Sequence, residues 1–133
     1  MASKVETSTP GNVMAPIGPY SHIAKVGQFI TIGAIAGVDP ETGTLAGPDI
    51  ASQTTQILDG FELLLASAGS DLDHVIHITI FLADMANFEA MNAAYAHRMG
   101  DRRPARTAIA VTGLPKEGAL LTMNLTAVTR SDA

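Results

Sequence analysis

The sequence predicts an α+β fold in which one sheet carries two helices on a single face. Segments with β-type alternation and segments with helical spacing follow one another in the order β-β-α-β-α-β-β. The length of 133 residues suits one domain over residues 1–133. Apolar residues make up 47% of the chain, but aromatic residues only 5%. The core is therefore expected to consist mainly of aliphatic side chains and methionine.

The first part of the chain is predicted to be a loop followed by a hairpin. Residues 1–19 contain three prolines and are expected to be extended or loop, with a flexible arm over residues 1–14. Two short strands follow, over residues 23–27 and 28–33. The sequence DPETG at residues 39–43 predicts a turn, because Pro presets φ and Gly accepts a positive φ.

Both predicted helices begin at an aspartate that can cap the first turn. Asp49 is the expected N-cap of a helix that runs to about Ala68 and ends at Gly69. Apolar residues recur along it at helical spacing and form one face. Asp84 is the expected cap of a second helix, which runs to about Met99 and has its own apolar stripe.

Three further segments predict strands, over residues 73–82, 106–111 and 120–128. The strand over residues 73–82 is apolar on both faces, so it needs cover on both sides of the sheet. Two helices cover only one side, and nothing else in the chain can cover the other. The sequence therefore predicts a homo-oligomer packed through its sheet surfaces.

Composition argues against several classes of function. The net charge is −5 and Lys and Arg form no run, so the chain offers no basic face for nucleic acid. Cysteine is absent and the four histidines lack metal-ligand spacing, which argues against a metal site. No phosphate-binding loop, dinucleotide fingerprint or nucleophile elbow occurs, so chemistry without a cofactor is expected. Because no apolar leader and no apolar stretch of about 18 residues occurs, a cytoplasmic protein without membrane contact is expected.

Arg106 is the strongest candidate for a functional residue. It opens an otherwise apolar strand, on the same face as Ala108 and Ala110, which leave open space beside it. A guanidinium fork matches a carboxylate through two hydrogen bonds, which Lys cannot reproduce. The alternative is a structural arginine at a strand end, paired with an acidic residue or extended to solvent.

Three other residues have both a structural and a functional interpretation. Asn92 falls within the apolar stripe of the second helix, so its amide either ties down a loop or faces a ligand. Tyr20 follows the rigid Gly18-Pro19 pair, which fixes its direction, although a core or interface tyrosine is the commoner case. Gly33 ends an apolar strand and permits close approach of a ligand, or it marks a bulge.

Three ordered motifs resemble the signatures of the RidA (YjgF) family, and the resemblance is colinear over residues 15–128. The first motif is APIGPYS at residues 15–21. The second is NFEAMNAAY at residues 87–95, on the second predicted helix. The third is PART at residues 104–107, followed by LPK at residues 114–116. Three motifs in family order are far more specific than any one of them.

The resemblance implies a chorismate-mutase-like α+β fold assembled as a homotrimer, with a cleft between each pair of subunits. Family members hydrolyse reactive 2-imino or enamine acids to 2-keto acids and ammonia, without a cofactor. The matching positions here are Arg106 for the substrate carboxylate and Tyr20, Gly33 and Asn92 along the cleft. Positioning alone supplies much of the rate for so reactive a substrate.

The chain departs from the family pattern at three positions, and each change makes the cleft less polar. The best-studied deaminases have a Glu on the last strand where this chain has Thr122. They often have a Ser before the cleft glycine, where this chain has Ile32, and a Cys after the arginine motif, where it has Ala108. We therefore expect Thr122 at the catalytic position and Ile32 and Ala108 beside the substrate.

Three functions remain open at this point. The protein hydrolyses imines with Thr122 or Tyr20 ordering the water, or it acts on a different carboxylate in a dedicated pathway. The third alternative is a protein that binds carboxylate metabolites without turnover. Ribonuclease and translation-inhibitor labels also occur in the family, but the acidic charge of this chain argues against them here.

Overall fold

The computed structural model describes residues 4–130, which form a six-stranded sheet, a two-stranded hairpin and two α-helices. The strands are β1 (Glu6–Ser8), β2 (Ile23–Val26), β3 (Phe29–Ala36), β4 (Val38–Asp39), β5 (Thr44–Leu45), β6 (Val75–Leu82), β7 (Ala105–Ala110) and β8 (Leu121–Val128). The helices are α1 (Ile50–Ser67) and α2 (Phe88–Met99), and single-turn 3₁₀ helices at Leu72–His74 and Met85–Asn87 precede β6 and α2. The sheet order is β1-β2-β3-β8-β6-β7, with only β6 and β7 parallel. The predicted α+β class is confirmed.

The helix ends follow from their capping residues. The Asp49 carboxylate accepts a hydrogen bond of 2.9 Å from the Ser52 backbone N–H at the start of α1. Gly69, with a φ of 81°, lies just beyond its end. Asp84 accepts a hydrogen bond from the Ala86 N–H and so caps the 3₁₀ turn instead of an α-helix. The α-helix itself begins at Phe88, one turn later than predicted.

The sheet buries one face against the two helices. On this helix-facing side, Ile78, Ile80 and Leu82 of β6 are completely buried, as is Met123 of β8. Helix α1 packs against β3, β8 and α2, so the aliphatic core lies between the sheet and the helix pair. Burial of these side chains supplies the main stabilisation of the fold. Within residues 4–130, neither helix combines the length and hydropathy that a membrane crossing needs.

The opposite, open face of the sheet is not covered by any element within residues 4–130. Thr79 and Phe81 of β6 are half-buried there, Ile109 of β7 is 44% exposed and Phe29 of β3 is 65% exposed. Apolar side chains on a broad exposed sheet face are typical of surfaces that meet another protein. The homo-oligomer therefore stays a prediction, with this face as its natural interface.

The N-terminal segment differs from the flexible arm predicted over residues 1–14. Within its described part, β1 pairs with β2 as an antiparallel edge strand. Met14 is buried, its carbonyl lies 2.6 Å from His22 Nε2, and its sulfur accepts a hydrogen bond from the Ala36 N–H. The prolines of this segment lie outside β1, whose pairing depends on β2 further along the chain.

Candidate functional site

A cavity of about 320 Å³ lies between α2 and the segment that leads into β7. We call it the arginine cavity, and it is lined by Asn92, Tyr95, Ala96, Arg103, Pro104 and Arg106. Its volume is at the low end of the roughly 300–1,000 Å³ typical of small-molecule sites. No acidic side chain is among these lining residues, so the cavity is electropositive.

Strand register sets the direction of the Arg106 side chain. Arg106 pairs with Ile78 of β6, so it points to the helix-facing side, as the alternation along β7 predicts. The guanidinium carbon lies 4.9 Å from the centroid of the Tyr95 ring and 5.9 Å from that of Phe88. Aromatic faces hold a guanidinium in place without neutralising its charge. None of the ion pairs among residues 4–130 includes Arg106.

Two buried polar atoms line the same cavity. Asn92 Oδ1 and the Tyr95 hydroxyl are buried and have no hydrogen-bond partner within residues 4–130. Burial raises the pKa of Tyr95, although the nearby charges of Arg106 and Arg103 oppose this shift, so the hydroxyl stays protonated and able to donate. Unpaired buried polar groups cost roughly 1–3 kcal/mol each. A ligand or a neighbouring chain would recover this free energy.

A second and larger cavity of about 740 Å³ lies at the other side of the sheet. We call it the tyrosine cavity. Its walls come from the N-terminal loop, β3, β8 and the loop before β8, and they consist of Met14, Ile17, Tyr20, Ser21, Gly33, Ala34, Ala36, Pro115, Lys116, Glu117 and Thr122. Most of this surface is apolar, with hydroxyl groups from three side chains.

A tight turn orients Tyr20 in this cavity. The Tyr20 N–H donates to the Gly18 carbonyl at 2.9 Å, and the phenol oxygen accepts a hydrogen bond of 3.2 Å from the Ile17 N–H. The ring also packs edge-on against His22, with centroids 6.0 Å apart. Because the phenol oxygen accepts this bond, its hydrogen is free to donate to a ligand or water. The turn at Gly18-Pro19 fixes the direction of the ring.

A β-bulge brings Gly33 and Thr122 to the tyrosine cavity but leaves Ile32 out of it. The β3–β8 register shifts between Ile32 and Ile35, and Gly33 lies within this irregularity. Ile32 is completely buried in the core, opposite Leu125, which contradicts the prediction that it lies beside the substrate. The Ile32 side chain points into the core, whereas the backbone of Gly33 borders the cavity on the other face of the strand.

The placement of Ala108 beside a substrate stays a prediction. Ala108 shares the helix-facing side with Arg106, but it is partly buried against the core and lines neither of the two cavities. A larger residue at this position would affect packing beneath the guanidinium rather than contact a bound acid.

Comparison with known proteins gives a family for this chain. The family model described as endoribonuclease L-PSP matches residues 11–129. The chain belongs to the RidA (YjgF) family. A RutC family protein of Pyrococcus horikoshii is 42% identical over 106 residues, which are 80% of this chain and 84% of that protein.

Two further RidA-family matches connect the chain to a named activity and to a solved structure. The 2-iminobutanoate/2-iminopropanoate deaminase of Homo sapiens is 36% identical over 100 residues, which are 75% of this chain and 73% of that protein. The crystal structure of the YjgF gene product from E. coli matches with a TM-score of 0.85 and 28% identity, over 94% of this chain and 99% of that one.

The two cavities of this RidA-family chain are far apart. Arg106 shares a face with Ile78, whereas Thr122 pairs with Phe81 on the open face. Strands β3 and β7 are separated by β8 and β6, so Gly33 and Arg106 lie roughly 14 Å apart across the sheet at about 4.8 Å per strand. A small acid held by Arg106 therefore cannot contact Tyr20, Gly33 or Thr122 of the same chain.

The structure also adds residues that the sequence analysis missed. Arg103 lines the arginine cavity beside Arg106, and Glu117 is the one carboxylate among the residues that line the tyrosine cavity. Arg103 could have been noticed from its position three residues before Arg106 with only Pro104 and an alanine between. Glu117 follows the LPK motif in a loop and carries no local signal. Within residues 4–130, no group of His, Asp or Glu side chains is arranged to hold a metal ion.

Proposed function

We propose that this protein hydrolyses small reactive 2-imino or enamine carboxylic acids to 2-keto acids and ammonia. Water adds to the carbon of the C=N bond, and collapse of the resulting aminoalcohol breaks the C–N bond and releases ammonia. The enamine form first takes a proton at carbon to give the imine. The deaminase name of the human relative supports this reaction class.

The observation that carries the proposal is the state of Arg106. Its guanidinium is half-buried, stacks on the aromatic rings of α2 and lacks a carboxylate partner among residues 4–130. A cation in this setting is only partly solvated, so a bound carboxylate gains a charge-assisted, two-pronged interaction. Asn92 and Tyr95 line the same cavity, and Asn92 Oδ1 and the Tyr95 hydroxyl have no hydrogen-bond partner among residues 4–130.

The proposal includes a homotrimer in which the arginine cavity of one subunit faces the tyrosine cavity of the next. Three observations support this assembly: the two cavities are separated within one chain, the open face carries exposed apolar side chains, and two buried polar atoms of α2 lack partners in the described part of the chain. A cyclic assembly gives each subunit one complete site from two incomplete halves.

The tyrosine cavity would then handle the water. The hydroxyls of Tyr20 and Thr122 can each hold a water molecule by accepting or donating a hydrogen bond. Glu117 on the wall of the same cavity is the group with the chemistry of a general base. Since the imine carbon is already electrophilic, orientation of water supplies a large share of the acceleration.

One observation favours a second candidate function, carboxylate binding without turnover. The last strand presents a nearly buried Thr122 at the position where the best-studied deaminases have a Glu, and a hydroxyl does not act as a base near neutral pH. If Glu117 does not replace the missing carboxylate on the last strand, a protein with an intact carboxylate clamp would bind 2-keto acids as a sensor.

Turnover of 2-iminobutyrate, generated in place from threonine, tests the proposal. We expect 2-ketobutyrate release above the spontaneous rate, and a loss of about 100-fold in kcat/KM in Arg106→Gln, because a two-pronged charged contact contributes roughly 3 kcal/mol. Arg106→Lys should recover only part of the rate. Arg102→Gln is the matched control, since Arg102 already pairs with Asp73 at 2.8 Å.

The outcomes separate the two candidate functions. Binding of 2-ketobutyrate that depends on Arg106, without any release above background, would establish the sensor and reject the enzyme. Equal turnover by the wild type and Arg106→Gln would show that Arg106 does not hold the carboxylate, which both candidate functions require.

A further inference from the structure

The arginines near the end of α2 fall into two groups. Arg98 pairs with Asp59 at 2.7 Å and with Glu62 at 3.1 Å. Arg102 pairs with Asp73. Arg103 and Arg106 have no ion-pair partner among residues 4–130, although they belong to the same short segment. The two arginines without a carboxylate are the two that line the arginine cavity.

Arg103 is held in place by neutral groups. Its Nη1 donates hydrogen bonds to the carbonyl of Gly100, at the end of α2, and to the Arg102 carbonyl at 2.8 Å. Carbonyl oxygens orient the guanidinium but do not cancel its charge. The remaining guanidinium nitrogens have no hydrogen-bond partner within residues 4–130, and they stay available to an anion.

Two like charges that line one cavity favour an anion beside them, although the exposure of Arg103 to solvent weakens this effect. Both arginines line the cavity together with Tyr95, whose phenol is buried. One carboxylate on Arg106 would leave the charge of Arg103 uncompensated. The volume of about 320 Å³ suits a short acid rather than an extended chain.

We propose that the arginine cavity is built for a dicarboxylic substrate, a 2-imino or 2-keto acid with a second carboxylate on its side chain. Arg106 holds the carboxylate next to the reacting carbon, and Arg103 holds the distal one. The inference rests on the proposed function for the role of Arg106, and it adds the class of side chain that the site selects.

Binding of two matched 2-keto acids tests the inference in the full-length protein. 2-Oxoglutarate and 2-oxopentanoate have the same number of carbons and differ in the second carboxylate. By isothermal titration calorimetry, we expect 2-oxoglutarate to bind the wild type about tenfold more tightly, the ratio that one partly exposed charged contact supplies. In Arg103→Gln the ratio of the two affinities should fall to about one, because the distal carboxylate loses its partner.

Arg102→Gln is the control, because it removes a neighbouring charge that already has a carboxylate partner. It should keep the tenfold preference. Equal binding of the two acids by the wild type would overturn the inference, as would a preference that survives Arg103→Gln. In either case, loss of 2-iminobutyrate turnover in Arg106→Gln would leave the proposed function intact. Binding of 2-oxopentanoate that does not depend on Arg106 would instead reject the proposed function.

Discussion

The arginine cavity and the tyrosine cavity differ in size, in charge and in the polarity of their walls. The arginine cavity is small, and among residues 4–130 its two guanidinium groups have no carboxylate partner and two of its buried polar atoms have no hydrogen-bond partner. The tyrosine cavity is more than twice as large, largely apolar, and presents hydroxyl groups with Glu117 on its wall. The arginine cavity can bind an anion, whereas the tyrosine cavity can hold a water molecule through its hydroxyl groups.

In the proposed reaction, a single chain would separate the binding of the carboxylate from the handling of water. Arg106 lies on the helix-facing side near the β7 edge, and the hydroxyl groups lie around β3 and β8. A substrate of a few carbons cannot bridge that distance. Assembly would therefore create the complete site, and subunit contact and activity should be lost or gained together.

The largest effect is expected from recombining the two cavities. Arg106→Gln inactivates the first cavity and Tyr20→Ala the second, so each homo-oligomer should be inactive. Refolding the two variants together should restore about a quarter of the wild-type rate per site, since a random interface in a cyclic assembly joins two intact halves one time in four.

The measurement is 2-ketobutyrate release from the mixed sample, compared with each variant alone at the same total concentration. Absence of any recovery, in a sample that native mass spectrometry shows to be mixed, would mean that the two cavities do not cooperate across subunits. Rescue of Arg106→Gln by wild-type chains is not informative, because wild-type sites remain active.

An intermediate effect is expected from adding a base to the tyrosine cavity. Thr122→Glu should raise kcat for 2-iminobutyrate by about tenfold, a modest share of the 10²–10⁴ that a well-placed general base contributes. Thr122→Gln, which has the size of Glu without its charge, is the control for the added carboxylate. A rate that is unchanged or lower in Thr122→Glu would show that a missing carboxylate at this position does not limit turnover.

A smaller effect is expected from Asn92, and it separates a ligand contact from a structural role. Asn92→Leu removes a buried oxygen that has no partner within residues 4–130 and keeps the volume of the side chain. The melting temperature should stay equal or rise, because no hydrogen bond within the described chain is lost. We expect kcat/KM to fall about tenfold, the size of one lost polar contact to a substrate. A lower melting temperature with unchanged kcat/KM would make Asn92 a structural residue.

Local signals in the sequence were enough to predict most of the helices and strands. The capping aspartates, helical apolar spacing and Gly ends predict α1 closely, and α2 begins one turn late because Asp84 caps a 3₁₀ turn first. The edge strand β1 was missed, since its only support is pairing with β2. Pairing between distant segments is invisible to periodicity within one of them.

The residues of the candidate site likewise divide into those that local sequence predicts and those that only the spatial arrangement reveals. Arg106, Asn92, Tyr20, Gly33 and Thr122 could be selected from residue type and motif, and each lines one of the two cavities. Ile32 was selected wrongly, although strand alternation alone separates it from Gly33. Arg103 and Glu117 were found only when neighbours in space were known.

By itself the sequence determined the family, the order of elements and the presence of an arginine suited to a carboxylate. These depend on local chemistry, namely side-chain type, spacing and turn residues. Only the tertiary structure decided that Arg106 and Thr122 face opposite sides of the sheet and that Arg103 joins Arg106 at one cavity. Strand order, register and a bulge fix those relations, and they arise from contacts between residues far apart in the chain.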